Sequence, residues 1–207
     1  DFNNMVSVVL TGARLIVEDP ADRLTVREAA EDMETAALHA AGLSRGLVDL
    51  SRPLRTSPEA LEVAPIVREV AELLIPMLGV NVTLRLDVEL TDERVVLPPG
   101  ELERVLANLV SNARDALPDG GAIEIRARVE GQEVVVEIQD DGEGMEPDVL
   151  AKAKEPSFTT KRRGQGSGMG LAAVETMVSL AEGSFELRSE PGRGTLATIR
   201  LPVARPE

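Results

Sequence analysis

The sequence predicts an α+β protein in which a helical hairpin precedes a two-layer domain of helices on a largely antiparallel sheet. Two observations carry this. Apolar residues recur at three- and four-residue spacings through the first fifty positions, and beyond residue 55 that spacing gives way to helical stretches alternating with β-branched strands.

In the first part, Phe2, Met5, Val6, Val9, Leu10, Ala13, Ile16 and Val17 form one apolar stripe on a helix, which Asp19-Pro20 ends. Val26, Ala29, Met33, Ala36, Ala40, Leu43, Leu47 and Leu50 then alternate spacings of three and four, the a/d seam of a heptad repeat. Two helices cannot bury both stripes by themselves. A homodimer through this hairpin, making a four-helix bundle, is therefore expected, with packing onto the rest of the same chain as the alternative.

Ser51 to Pro58 is rich in Pro, Arg and Ser/Thr and suits an exposed connector. The expected organisation is a hairpin over 1–52, a linker over 53–58 and a second domain over 59–207. Within the latter, Val63 to Leu78 reads as an amphipathic helix with Pro65 near its first turn, followed by a strand through Val80, Val82, Leu84 and Leu86 and a short one at Val95 to Leu97. Pro98-Pro99 opens a helix that buries Leu102, Val105, Leu106, Leu109, Val110, Ala113 and Leu117 and closes at Pro118-Asp119-Gly120-Gly121. Ile123 to Val129 and Val134 to Ile138 read as a hairpin. Residues 141–169 are glycine-rich and irregular, a helix covers about Gly170 to Leu180, and strands Ser184 to Arg188 and Thr195 to Leu201 flank a turn.

Composition narrows the function. The 207 residues hold 22 Lys+Arg against 36 Asp+Glu, a net charge of −14, with three Phe and no Trp or Tyr. So acidic and aromatic-poor a chain disfavours phosphate-backbone contact and base stacking, and no nucleic-acid partner is expected. Without Cys there are no disulfides, zinc thiolates or cysteine nucleophiles, and a single His excludes most histidine-rich metal sites. No apolar run of about 18 residues and no signal peptide are present, so no membrane contact and a cytoplasmic location are expected of this segment. A start at Asp1 rather than Met is expected of a fragment, with any anchor or sensor domain upstream.

Three segments carry chemistry. Asn108 and Asn112 are four apart, so both amides leave one face of their helix. A neutral amide oxygen is a hard ligand, and one or two with phosphate oxygens and water suit Mg²⁺; such a pair alone is more often simply a polar helix surface. Asp140-Asp141-Gly142-Glu143-Gly144-Met145 follows an apolar strand. Its glycines let backbone approach a flat ligand, and a carboxylate at the strand end can accept a hydrogen bond from an exocyclic amine such as that of adenine, where a keto group would leave it unpaired. Acidic, glycine-rich turns are also common simply as turns. Gly164 to Leu171 runs into a helix N-terminus, whose N–H groups and dipole suit triphosphate oxygens; a flexible linker is the other reading. Lys161, just before these glycines, is placed to reach a terminal phosphate, while Arg162 and Arg163 read as a solvated basic loop.

In this order the segments resemble the nucleotide-binding domain of the histidine kinase and GHKL ATPase superfamily, a two-layer α/β sandwich. Glu101 to Leu117 is similar to its N box, Asp140 to Gly144 to the G1 box, Glu155 to Lys161 (EPSFTTK) to the F box, Gly166 to Gly170 to the G2 box, and Gly192 to Thr195 to the last glycine box. The resemblance implies ATP as cofactor, with Mg²⁺ held by Asn112 and supported by Asn108, and adenine read by Asp140 beside Gly142, Gly144, Met145 and Thr195. It further implies phosphate contacts from Thr160, Lys161, Gly166, Ser167, Gly168, Met169, Gly170 and Leu171, and a lid over about 145–169. Arg114 and Asp115 lie near this set, whereas Asp141 and Glu143 read as solvated.

Asp1-Phe2-Asn3-Asn4-Met5 resembles the phosphoacceptor box His-Asp-Phe-Asn-Asn of histidine kinases, with the histidine immediately before Asp1. The resemblance implies that this histidine attacks the γ-phosphoryl group, that Asp1 assists proton removal, and that Asn4 orients water for a phosphatase reaction on a response-regulator receiver domain. The same four residues also make a serviceable helix cap. His39 sits at a g position beside the heptad seam without an acidic neighbour and reads as a surface histidine. The expected function is thus the core of a sensor histidine kinase. Its rivals are another GHKL ATPase or protein kinase, and a dimeric scaffold that has lost turnover.

Overall fold

A computed structural model of the chain describes residues 10–17, 22, 25–27, 29–30, 33, 57–160 and 168–204. They fall into two compact units, one before residue 56 and one after it. In the first, residues 10–17 are helical, as are 25–27, 29–30 and 33. Asp22 caps the second stretch, its Oδ2 accepting from Thr25 Oγ1 at 2.6 Å and its Oδ1 from Thr25 N at 3.4 Å. The two stretches touch where Gly12 meets Met33: a Cβ on Gly12 would come within 2.5 Å of Met33 Cγ. His39 and most of the heptad seam lie outside the described residues.

In the second unit the elements run β1 (Glu59–Glu62), α1 (Val63–Leu78), β2 (Val82–Val88), β3 (Arg94–Leu97), α2 (Glu101–Asp115), β4 (Gly121–Glu130), β5 (Glu133–Asp140), α3 (Pro147–Leu150), α4 (Gly170–Leu180), β6 (Ser184–Glu190) and β7 (Gly194–Pro202). The strands β2-β4-β5-β7-β6 form a five-stranded sheet, and β1 and β3 pair separately. Four features depart from the sequence reading. β1 was not anticipated, β2 begins at Val82 with Val80 fully exposed, β2 and β4 pair in parallel within an otherwise antiparallel sheet, and the stretch 141–169 contains the short helix α3.

One face of the sheet is the core face. Ile123, Ile125 and Ala127 of β4, Val134, Val136 and Ile138 of β5, and Ala197, Ile199 and Leu201 of β7 alternate onto it, as a period of two requires. Helix α2 lays Leu102, Val105, Leu106, Leu109, Val110 and Ala113 into the same core, the face its periodicity predicts. Each such Leu or Ile stabilises by about 2 kcal/mol. No helix among the described residues is long and apolar enough to cross a membrane.

The opposite face carries charge. Arg128 bridges Glu137 at 2.7 Å and Glu130 at 2.6 Å, and Arg200 reaches Glu130 at 2.6 Å. Val135, in register between Arg128 and Arg200, is fully buried although its parity turns it outward. The aliphatic stems of two flanking arginines suit that cover.

Candidate functional site

The end of β5 holds the least expected side chain of the domain, a carboxylate at 5% exposure. Asp140 continues the inward parity of Val134, Val136 and Ile138, so the chain that buries those aliphatics also carries this acid to the core edge. Its Oδ1 accepts from Gly142 N at 3.0 Å and Thr195 N at 3.2 Å, and its Oδ2 takes no hydrogen bond among the described residues. Burial pushes its pKa above the ordinary aspartate value, the two backbone donors pull it back, and neighbouring Asp141 adds to the rise. The arrangement is a fixed acceptor with one oxygen harnessed.

Glycines make that arrangement possible. A Cβ on Gly142 would fall 2.3 Å from Ala116 O, and one on Gly194 would fall 1.9 Å from Asp140 O. Gly194 also has φ +82°, a left-handed conformation natural to glycine. Glu143 N donates to Ala116 O at 3.0 Å, so the glycine segment packs against the end of α2. Asn112 lies one turn before Ala116, about 6 Å along the axis. The loop Asp140 to Met145 and the amide-bearing helix are thereby held together.

The start of α4 closes on the same helix. A Cβ on Gly170 would stand 3.7 Å from Asn108 Oδ1 and 3.8 Å from Asn112 Nδ2, ordinary contact that brings the helix N-terminus up to both amides. Just before it, Gly168 has φ +65° and is wedged against the backbone of Ser157 and Phe158, with Ser157 N donating to Gly168 O at 3.0 Å. Met169 is exposed, Leu171 packs on the core and Thr160 is exposed. Arg114 and Asp115 pair with each other at 2.5 Å in the last turn of α2.

The structure thus groups Asp140, Gly142, Gly144, Met145 and Thr195 at the ends of β5, β6 and β7, and Asn108, Asn112 and Gly170 where α2 meets α4. Asp1, Asn4, Lys161, Gly166 and Ser167 lie outside the described residues. Sequence reasoning gave no structural part to three contributors: Asp141 read as solvated, Gly194 stood in the last glycine box without a role, and Ser189 was in no box. Asp141 accepts from Ala122 N at 2.7 Å and closes the end of the β4–β5 pair, a role no local spacing reveals. Gly194 is the backbone seat of Asp140. Ser189 joins Met145, Gly194 and Thr195 through its hydroxyl, its Oγ accepting from Met145 N at 2.8 Å; the inward parity it shares with Phe185 and Leu187 is the one signal that could have marked it.

Residues 98–205 match the sequence profile of the histidine kinase-, DNA gyrase B-, and HSP90-like ATPases. The chain belongs to that ATPase family. Membership implies ATP binding by this domain. Among its relatives, the sensor kinase CckA of Brucella abortus (strain 2308) is 33% identical over 98% of this chain and 23% of its own length. Sporulation kinase E of Bacillus subtilis (strain 168) is 33% identical over 74% of this chain and 21% of its own. The chain therefore spans under a quarter of the length of these two relatives. A mycobacterial sensor histidine kinase, MprB, shares the fold with a TM-score of 0.62 at 24% identity, covering 72% of this chain and 99% of that one.

Proposed function

We propose that this chain is the dimerisation and catalytic core of a sensor histidine kinase, transferring the γ-phosphoryl group of ATP to a histidine just before Asp1 and from there to a response-regulator aspartate. The observation that carries the reading is Asp140, a buried carboxylate with Oδ1 held by two backbone amides and Oδ2 left for a ligand. An exocyclic amine fits such an acceptor, and the glycines around it admit a flat base. The names of the two relatives, a sensor kinase and a sporulation kinase, support the wider assignment.

The hairpin over 1–52 is assigned to homodimerisation, 53–58 to the linker and 59–207 to catalysis, in the cytoplasm. Asn112, with Asn108 beside it, would hold Mg²⁺; its hard amide oxygen fits an ion that takes most of its ligands from phosphate and water. When bound, the ion neutralises charge on the transferring phosphates. The N-terminus of α4 with residues 166–171, Thr160 and Lys161 is assigned to the phosphates, since the positive end of a helix dipole favours anions. Residues 145–169 serve as the lid. Asp1 accepts from the other ring nitrogen of the phosphoacceptor and assists proton removal, and Asn4 orients water for dephosphorylation of the regulator.

Incubating the chain with γ-labelled ATP, alongside a version extended by one histidine before Asp1, tests this. Acid-labile, base-stable label is expected in the extended chain alone. An extended chain that binds ATP and takes up no label would reduce the protein to a binding scaffold.

A further inference from the structure

Ser189 lies outside every box discussed above, yet its hydroxyl has three partners at hydrogen-bond distance. Oγ is 2.8 Å from Met145 N, 2.9 Å from Gly194 O and 2.9 Å from Thr195 Oγ1. A serine hydroxyl owns one proton and two lone pairs, so three partners saturate it. Met145 N–H can only donate. The Gly194 carbonyl can only accept, and it takes the one Ser189 proton. The remaining lone pair must then receive the proton of Thr195.

Thr195 is thereby converted from a group of either polarity into an acceptor, its own proton being held by Ser189. Its place matters. In the register, Gln139 opposes Leu196 and Thr195 opposes Ser189, which sets Asp140, Thr195 and Ser189 in one row across β5, β7 and β6. All three share the inward parity of Ile138, Ala197 and Leu187. Thr195 is further tied to the acid, since its own N–H donates to Asp140 Oδ1.

We propose that Ser189 sets the purine specificity of the site by locking the Thr195 hydroxyl as an acceptor beside Asp140. This rests on the reading that an adenine nucleotide docks against Asp140. Two neighbouring acceptors suit the two protons of a 6-amino group, or one proton and a bridging water. The 6-oxygen of an oxopurine meets only lone pairs, and any rotation of Thr195 that would offer it a proton breaks the bond to Ser189. Ser189 acts through Thr195 and is a positioning residue.

Titrating the full chain with ADP and with IDP in magnesium buffer tests the idea. The wild type is expected to prefer ADP. In Ser189→Ala the Thr195 hydroxyl is free to turn and donate, so the ADP-over-IDP preference should narrow about tenfold, the factor one hydrogen bond commonly carries, with IDP binding tighter in absolute affinity. Ser189→Thr, which keeps the hydroxyl, should retain the wild-type ratio. Thr195→Val should narrow it as Ser189→Ala does, with no further change in the double variant, and it carries the test if Ser189→Ala fails to fold. A merely structural serine would weaken both nucleotides alike. An unchanged ratio in Ser189→Ala or Thr195→Val, from a wild type that discriminates, overturns this inference alone; a wild type that binds neither nucleotide overturns the adenine reading and this inference with it.

Discussion

Lys154 Nζ lies 2.7 Å from Glu175 Oε2 and 4.7 Å from the centre of the Phe185 ring. It also donates to the Phe185 carbonyl. One side chain thus fastens the stretch after α3 to both α4 and β6. The ion pair is partly exposed and contributes little alone, but the cation–π contact and the hydrogen bond act with it. Lys154→Met, which keeps the stem and removes the charge, is expected to cost about 1 kcal/mol and lower Tm by about 2–4 °C. Thermal unfolding followed by circular dichroism checks this, with Lys154→Arg expected to fall in between.

Asp140 should make the site pH-sensitive. Its pKa is raised above the ordinary 3.8, chiefly by burial. The folded chain therefore holds this proton to higher pH than the unfolded chain, so the stability that the proton contributes is full below the ordinary value and is lost as pH rises through the raised one. Asp140→Asn removes this dependence. In urea titrations of the free protein, its stability relative to wild type should grow with pH across that window and then level off. Adenine-nucleotide affinity of the wild type moves the other way, weakening as acid protonates the acceptor and approaching a tenfold loss per pH unit below the raised pKa. A flat affinity over this range would contradict the assignment.

Two glycines two residues apart, at the turn between β6 and β7, offer a matched comparison. Gly194→Ala would set a Cβ 1.9 Å from Asp140 O and 2.9 Å from Asp141 Cα, both backbone, at φ +82°. Gly192 has φ +71° with nothing near its Cβ. Gly194→Ala is expected to cost about 3 kcal/mol or more and to abolish nucleotide binding, while Gly192→Ala costs about 1 kcal/mol of left-handed strain and binds normally. Chemical denaturation with parallel calorimetry separates them.

Asn112→Ala should remove at least about tenfold of the affinity that magnesium adds to nucleotide binding, and little of the affinity measured in EDTA. Asn112→Asp, which keeps a hard oxygen at the same place, should restore part of the increment. Equal magnesium stimulation of Asn112→Ala and wild type would move the metal elsewhere.

How far the sequence disclosed all this follows from the range of each interaction. The buried face of α2 was legible because a 3.6-residue period shows within fifteen residues, and Asp140 was legible as a polar residue ending an apolar strand. β1 was not, because Glu59-Ala60-Leu61-Glu62 has no alternation and becomes a strand only by pairing with Val95 to Leu97 and Arg94 far along the chain. The parallel union of β2 with β4 depends on how α2 crosses between them, which leaves no mark on either strand. A four-residue helix such as α3 is shorter than the pattern needed to detect it. Ser189 and Asp141 look like ordinary solvated residues until strands remote in sequence are laid side by side, since the partners of the first span Met145 to Thr195 and that of the second is Ala122.

The two amides that hold Asp140 Oδ1 come from positions 2 and 55 residues later. Half of the acid's harness therefore does not exist until β7 has been synthesised and laid against β5. On the ribosome, the emerging chain would pass cellular nucleotide by, and ligand capture would serve as a sign that the sheet has closed.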